Sequence, residues 1–233
     1  MARGFTFMLS MVLGLMPLTG LAQENGDAEE KKTEAEKKYE DALFYEGFEE
    51  LNAGDYPPLD FLVLDGDFIV QGDEENKWLE LPATPLNTFG AIFGPSQNVD
   101  VMVSAQIKSQ ARRRSMPRFG IGLCGVNGYK LRVTPAKQSV ELFLGNEVVA
   151  SETFEWESEE WTHLVLQIRQ TGDAKWVVEG SAWIQGKEMP EEWLIHYETE
   201  EEPINGKPSI WGTPYSSYPI LYDHILVDET KDE

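Results

Sequence analysis

Three aromatic residues lie close together near the end of the chain, in a stretch rich in glycine, proline and serine. They are Trp211, Tyr215 and Tyr218, and the stretch ends at Pro219, directly before a strand-like segment. This composition is typical of an exposed turn. Exposed indole and phenol faces stack on the apolar faces of pyranose rings, and neighbouring hydroxyls orient the sugar. The stretch is a candidate carbohydrate-binding loop; the alternative is that Trp211 closes one end of the core and the tyrosines pack beneath it.

A second candidate is basic. Five cations fall within eleven residues, namely Lys108, Arg112, Arg113, Arg114 and Arg118. Guanidinium groups bind sulfate or carboxylate with two parallel hydrogen bonds. The four arginines therefore form a candidate site for an acidic sugar or an acidic partner, and the alternative is a solvated loop that the charges keep soluble.

Carboxylates offer two further candidates. Glu155, Glu157 and Glu159 alternate as the paired acids of a glycoside hydrolase do, but Glu160 follows directly and no aliphatic residue lies between them. This pattern favours a solvated acidic turn, so no catalytic residue is predicted. Asp223 and Glu49 lie on the predicted last and first strands, where carboxylates could bind a structural Ca²⁺ together with backbone carbonyls. No calcium-loop signature accompanies them, so no metal or other cofactor is assigned.

Several kinds of chemistry lack their motifs. The sequence has no GxSxG, HExxH, P-loop or GxGxxG motif, and its three histidines do not have metal-ligand spacing. Cys124 is the only cysteine, which excludes internal disulfides and cysteine-based zinc sites. The formal charge of −22, from 41 acidic and 19 basic residues, argues against nucleic acid or anionic lipid as a general partner.

The N-terminus resembles an export signal. Arg3 precedes an uncharged apolar run that ends in Gly20-Leu21-Ala22, which predicts a signal peptide over 1–22 and a periplasmic or secreted protein that has no membrane contact after cleavage. Residues 23–42 carry charges of both signs and few apolar side chains, which predicts a helical or disordered tether. Cleavage of this signal peptide removes Arg3, so the remaining chain has 18 basic and 41 acidic residues and a formal charge of −23.

The rest of the chain has the period-two pattern of half-buried strands. Val99 to Lys108 is the clearest example. The runs Phe61-Leu62-Val63-Leu64 and Asp67-Phe68-Ile69-Val70 flank Asp65-Gly66, and this pattern predicts a tight hairpin. About a dozen such strands with no amphipathic helix favour an all-β, two-sheet antiparallel jelly-roll sandwich. One domain is predicted over 43–228, followed by an acidic tail at 229–233.

Several segments resemble the concanavalin A-like lectin/glucanase superfamily, and most closely the 3-keto-disaccharide hydrolase-like domains of exported bacterial proteins. The resemblance is carried by Phe44-Tyr45-Glu46-Gly47-Phe48-Glu49, Gly128-Tyr129-Lys130-Leu131-Arg132-Val133, Trp161-Thr162-His163-Leu164 and Tyr222-Asp223-His224-Ile225-Leu226-Val227. It implies a jelly-roll sandwich and a function that involves sugars. Those domains usually carry a Tyr-Glu pair where this chain has Tyr129-Lys130, so the acidic partner is replaced by a cation.

We therefore expect an exported domain that binds a polysaccharide or glycoconjugate, with anionic ones among the candidates, and does not catalyse its turnover. The alternatives are a glycoside-processing hydrolase related to the 3-keto-disaccharide hydrolases and a structural protein of the cell envelope.

Export predicts a defined new N-terminus. N-terminal sequencing of the protein recovered from the periplasm or medium should begin at Gln23, because cleavage follows the small residue Ala22. Recovery of a soluble cytoplasmic protein that still begins at Met1 would contradict the prediction.

Overall fold

A computed structural model describes residues 38–74, 76–83, 87–215 and 217–230. The predicted signal peptide (1–22), most of the tether (23–37) and the last three residues of the tail lie outside the described residues. The described part of the chain is all-β, apart from a short 3₁₀ turn at Pro135–Lys137. It contains no helix that is long and apolar enough to cross a membrane.

Fifteen strands are described, and they form two antiparallel sheets. Sheet A has the order β13-β12-β11-β6-β15-β4-β3, and β1 also pairs with β15. Its strands are β1 (Phe44–Glu46), β3 (Ile69–Gly72), β4 (Lys77–Leu81), β6 (Val101–Ser109), β11 (Thr162–Gly172), β12 (Lys175–Ile184), β13 (Ile195–Thr199) and β15 (Ile220–Glu229).

Sheet B has the order β10-β9-β8-β7-β14-β5-β2. Its strands are β2 (Leu62–Asp65), β5 (Phe89–Ile92), β7 (Arg118–Leu123), β8 (Tyr129–Thr134), β9 (Ser139–Leu144), β10 (Glu147–Thr153) and β14 (Ser209–Thr213). The two sheets pack face to face, which confirms the predicted all-β jelly-roll sandwich.

The core lies between the sheets and follows the period-two pattern of the sequence. In β6, Val101, Val103 and Ile107 are almost fully buried, while the alternate residues from Met102 to Lys108 are half-buried on the outer face of sheet A. In β8, Tyr129, Leu131 and Val133 are buried in the same way. These two strands therefore commit every second side chain to the core and leave the others on an outer face.

The predicted tight hairpin around Asp65-Gly66 is wrong. β2 pairs with β5 in sheet B, whereas β3 pairs with β4 in sheet A, so the chain crosses from one sheet to the other between them. Gly66 has a φ of +104° at this corner, and Phe68 just after it is buried in the core. Two segments of alternating apolar and polar residues joined by a turn look the same in sequence in both cases. The strands can pair in one sheet, or they can lie in opposite sheets of a sandwich.

Two buried tyrosines differ in one respect. Tyr222 and Tyr129 are both inward-facing, and each is at most 2% exposed. The Tyr129 hydroxyl is hydrogen-bonded to the side chain of Thr199. The Tyr222 hydroxyl has no hydrogen-bond partner within the described residues. An unsatisfied buried hydroxyl costs free energy, so the hydroxyl of Tyr222 opposes folding even though its buried ring favours it.

The two tyrosines should respond oppositely to loss of the hydroxyl. Tyr222→Phe should raise the free energy of unfolding by about 1 kcal/mol, because it removes an unsatisfied polar atom. Tyr129→Phe, the matched control, should lower it by about 1 kcal/mol, because a hydrogen bond is lost. Urea denaturation of both variants measures the difference, and a Tyr222→Phe variant less stable than the wild type would contradict the prediction.

Candidate functional site

The outer face of sheet B is shaped by glycines. Trp211 on β14 lies opposite Gly120 of β7 on one side and opposite Gly90 of β5 on the other. Ser209, two residues earlier on the same face, lies opposite Gly122. A Cβ atom at Gly90 would lie 2.7 Å from an indole carbon of Trp211, which is closer than a Cβ atom approaches other atoms in proteins. Because Gly90 and Gly122 have no side chains, Trp211 and Lys130 have room to lie against the sheet.

Trp211 is held in a defined orientation. Its indole N–H donates a hydrogen bond of 2.8 Å to the Ser209 hydroxyl. Lys130 reaches it from β8, two strands away on the side opposite to β5, and places its ammonium 4.5 Å from the centre of the indole ring. The indole therefore lies between the backbone at Gly90 and the ammonium of Lys130. This arrangement is a cation–π contact on a half-buried ring.

Arg132 is the second cation on this face. Its guanidinium lies 4.0 Å from the centre of the Phe143 ring and donates a hydrogen bond of 3.1 Å to Glu141. The buried Glu141 also accepts hydrogen bonds from Thr134 (2.8 Å) and Lys137 (2.6 Å). Burial alone would raise the pKa of Glu141, but the hydrogen bonds from Lys137, Thr134 and Arg132 together hold it below its usual value. Glu141 is therefore an ionised anchor that fixes the position of Arg132.

These residues surround a surface depression of about 410 Å³, which we call the Trp211 depression. Aromatic rings, two cations, backbone and neutral polar side chains line it, and the residues are Thr88, Gly120, Ile121, Val126, Asn127, Lys130, Leu131, Arg132, Phe143, Gly145, Asn146 and Trp211. No carboxylate is among them. An aromatic surface with a few convergent polar groups is the usual composition of a small-ligand site.

The structure places Trp211 differently from the sequence prediction. Trp211 was expected in a Gly/Pro/Ser loop, but it lies in β14, where it pairs with both neighbouring strands. Gly212 beside it does not mark a turn: a Cβ atom there would meet the core side chains of Tyr222 and Leu81, whereas Gly90 on the neighbouring strand makes room for the indole. The loop follows the strand. Tyr215 in that loop is 42% exposed, and Tyr218 is half-buried.

The basic cluster is divided in two. Arg118 begins β7 on the same outer face as Trp211, opposite Thr213, and its guanidinium lies 5.6 Å from the centre of the Tyr215 ring. Arg112, Arg113 and Arg114 instead form an exposed turn closed by hydrogen bonds between Arg112 and Ser115. This turn lines a separate depression with Ser115 and Ser217. Tyr215 and Arg118 thus lie near the end of the Trp211 face, whereas the three consecutive arginines do not line the Trp211 depression.

The acidic run from Glu155 to Glu160 lies between β10 and β11 and ends in a turn, outside any strand. Its glutamates are exposed, as expected for a solvated segment.

Sequence reasoning missed Lys130, Arg132 and Phe143 as site residues. The signal was present in the alternation of β8, because burial of Tyr129, Leu131 and Val133 puts Lys130 and Arg132 together on the opposite face. What the alternation does not reveal is that β8 lies two strands from β14, so that Lys130 reaches Trp211.

The outer face of sheet A carries a second polar cluster. Asp223 on β15 is 3% exposed, and its carboxylate accepts a hydrogen bond of 2.7 Å from the backbone N–H of His224. His224 has a φ of +47° in a bulge of β15, and its Nδ1 lies 2.7 Å from the Tyr45 hydroxyl. His163 stacks on Trp183 nearby, with 5.0 Å between ring centres. His163, Trp183 and His224 line a depression of about 390 Å³.

Burial dominates the electrostatics of this cluster. It raises the pKa of Asp223 to about 7, in spite of hydrogen bonds from the His224 backbone and Asn76. It also lowers the pKa of His163 and of His224. Among the described residues, no three His, Cys, Asp or Glu side chains lie close enough together to hold a metal ion. This includes the surroundings of Asp223 and Glu49.

Comparison with solved structures identifies the fold. A chain described with endo-acting O-glycanases of the human gut microbiota superposes with a TM-score of 0.55 at 12% identity, over 82% of this chain and 100% of that one. The carbohydrate-binding module CBM66 from Bacillus subtilis gives 0.51 at 12% identity, over 73% and 96%. The potassium-bound carbohydrate recognition domain of Emp46p gives 0.50 at 13% identity, over 74% and 90%.

These similarities confirm the concanavalin A-like jelly-roll fold that the sequence predicts. No protein-family model matches the sequence, and a search of curated proteins finds no similar sequence. The finer likeness to 3-keto-disaccharide hydrolase-like domains therefore stays a prediction.

The raised pKa of Asp223 makes stability depend on pH. In the unfolded chain this carboxyl loses its proton near pH 4, whereas in the folded chain it keeps the proton up to about pH 7. Its contribution to stability is therefore fully present below about pH 4 and is lost as the pH rises through 7. Asp223→Asn removes the titrating group and with it this pH dependence. The free energy of unfolding of the variant minus that of the wild type should therefore rise by up to about 4 kcal/mol from pH 4 to pH 8.

Urea denaturation of both proteins at several pH values measures this difference. Asp228→Asn, on the same strand but nearer to solvent, controls for the amide substitution itself. A constant difference between Asp223→Asn and the wild type across this range would refute the assignment.

Proposed function

We propose that this protein is an exported carbohydrate-binding domain that holds its ligand in the Trp211 depression and does not catalyse its turnover. The observation that carries the proposal is the oriented indole of Trp211, in a depression that Phe143 also lines. Its remaining walls are neutral polar groups, backbone, aliphatic residues that include Val126, and two cations. Indole rings bind the apolar face of a pyranose, and the amides of Asn127 and Asn146 can hydrogen-bond its hydroxyls.

Proteins of the same fold support this proposal. CBM66 is named as a carbohydrate-binding module and Emp46p contributes a carbohydrate recognition domain. The luminal domain of VIP36, with a TM-score of 0.50 at 9% identity, is described with Ca²⁺ and Man3GlcNAc bound. At these identities the shared property is the fold, so the site itself rests on the residues of this chain.

The lining of the depression supports binding without turnover. Glycoside hydrolysis commonly requires two carboxyl groups that flank the scissile bond. The described lining of the Trp211 depression contains none, and Glu141, beside it, is already bound by Arg132, Thr134 and Lys137. One observation favours the alternative of a hydrolase. Asp223 on the opposite sheet is a buried acid whose pKa lies near neutrality, as a general acid requires.

Export completes the proposal and rests on the sequence alone. The predicted signal peptide at 1–22 would deliver the domain to the periplasm or the medium, where polysaccharides are accessible. The exposed arginines 112–114 remain a separate candidate for contacts with an acidic partner.

Truncation of Trp211 tests the proposed site. Trp211→Ala should weaken binding to glycans identified on an array at least tenfold, because the stacking surface is lost, which corresponds to about 1.4 kcal/mol. Trp161→Ala is the matched control, since Trp161 is a half-buried indole under Lys108 on the other sheet. Isothermal titration of wild type and both variants, with melting curves for each, separates lost binding from lost folding.

Three outcomes would contradict the proposal. Equal glycan affinity of Trp211→Ala and wild type would show that the ligand does not bind in this depression. The protein would be a hydrolase if it released reducing ends from a bound glycan and if Asp223→Asn abolished that release. Absence of any glycan ligand for a folded wild type would favour the structural role in the cell envelope.

A further inference from the structure

We propose that the Trp211 depression selects anionic sugars, whose carboxylate or sulfate group is bound by Lys130 and Arg132, and that Lys130 leaves the indole face of Trp211 as the anion binds. This inference rests on the proposed function and names the class of sugar that the same site accepts.

The first support is the local charge. The whole chain has 41 acidic residues and 19 basic ones. The described residues that line the depression include two cations and no acid, so this small area opposes the sign of the molecule around it. A cationic pocket in a strongly acidic protein attracts an anion locally, while the rest of the surface repels nonspecific polyanions.

The second support is the state of Lys130. Its ammonium is half-buried over the Trp211 ring, and within the described residues it makes no ion pair. Burial, together with the charge of Arg132, lowers the pKa of Lys130. The Lys130 ammonium is therefore partly removed from water beside a second positive charge. A bound anion would supply the negative charge that balances it.

The third support is an unused donor on Arg132. One terminal nitrogen of the guanidinium is bound to Glu141, but Nε is buried and has no hydrogen-bond partner in the described part of the chain. Buried guanidinium donors normally have acceptors. The side chain as a whole is about one-third exposed, so an anionic oxygen that draws the guanidinium slightly outward would provide one.

The position of Lys130 explains why a neutral sugar is disfavoured. One side of the indole is occupied by the backbone at Gly90, so a pyranose must approach the side that the ammonium covers. A neutral sugar would have to displace the ammonium from the ring without replacing the lost contact. An anionic sugar draws the ammonium onto its own charged group, and the indole face becomes free for stacking.

The experiment compares polysaccharides that differ only in charge. Polygalacturonate is paired with its carboxyl-reduced form, and dextran sulfate with dextran, so that carboxylate and sulfate are tested separately. Affinity electrophoresis measures binding by wild type, Lys130→Met and Lys108→Met. The last is a matched control, because Lys108 is also a cation over an indole, that of Trp161 at 5.9 Å, but on sheet A.

Wild type should bind at least one anionic polymer about tenfold or more tightly than its neutral partner, with an affinity that falls as salt rises. Lys130→Met should lose this preference, and binding of the neutral partner should be unchanged or stronger because the indole is uncovered. Lys108→Met should behave as wild type, although it has the same change in net charge.

Other results overturn the inference. Equal binding of charged and neutral partners by wild type, with loss of both in Trp211→Ala, would refute anion selectivity and leave the proposed carbohydrate site intact. Selectivity that survives Lys130→Met but disappears when Arg112, Arg113 and Arg114 are all changed to Gln would assign the anion to the arginine turn. Binding of no glycan by folded wild type, on the array or in these gels, would refute the proposed function and this inference together.

Discussion

Two antiparallel sheets bury one face each against the other, and this packing decides where ligands can be bound. Every second residue of β6 or β8 is committed to the core, and the remaining positions lie on the outer faces of the two sheets. On sheet B, Gly90 leaves space for Trp211, and Gly122 leaves space for Ser209 and Lys130, whereas a Cβ atom at Gly120 would meet the backbone of β8. The depression is thus made by small residues on one set of strands and large ones on the next.

Both outer faces use a buried glutamate to fix an arginine. On sheet B, Glu141 binds Arg132, Thr134 and Lys137. On sheet A, Glu179 accepts hydrogen bonds from Gln167 and from two nitrogens of Arg169, and its other oxygen lies 3.1 Å from His196. In each case burial raises the pKa of the glutamate, but the bound donors outweigh it and hold the pKa below its usual value. The difference lies in what surrounds the arginine: only Arg132 has beside it a cation lying over an indole, Lys130.

The two outer faces are therefore suited to different tasks. The sheet B face has aromatic surface and positive charge, which suits recognition of a sugar that carries an anion. The sheet A face has a buried Asp223, a bulged His224 with positive φ and a Tyr45 hydroxyl at 2.7 Å from it. Strained backbone beside a buried acid is more common at functional sites than elsewhere. This second cluster explains why a hydrolase remains the principal alternative.

The sequence by itself determined the alternation of most strands, and therefore the all-β sandwich, because burial of one face requires a period of two. It also placed Lys130 and Arg132 on one side of β8. Only the tertiary structure decided that β2 and β3 belong to opposite sheets, because an alternating run does not specify its partner. The same holds for the site. Trp211, Gly90 and Lys130 lie on strands separated by many residues, and their contacts depend on the order β8-β7-β14-β5, which no local pattern encodes.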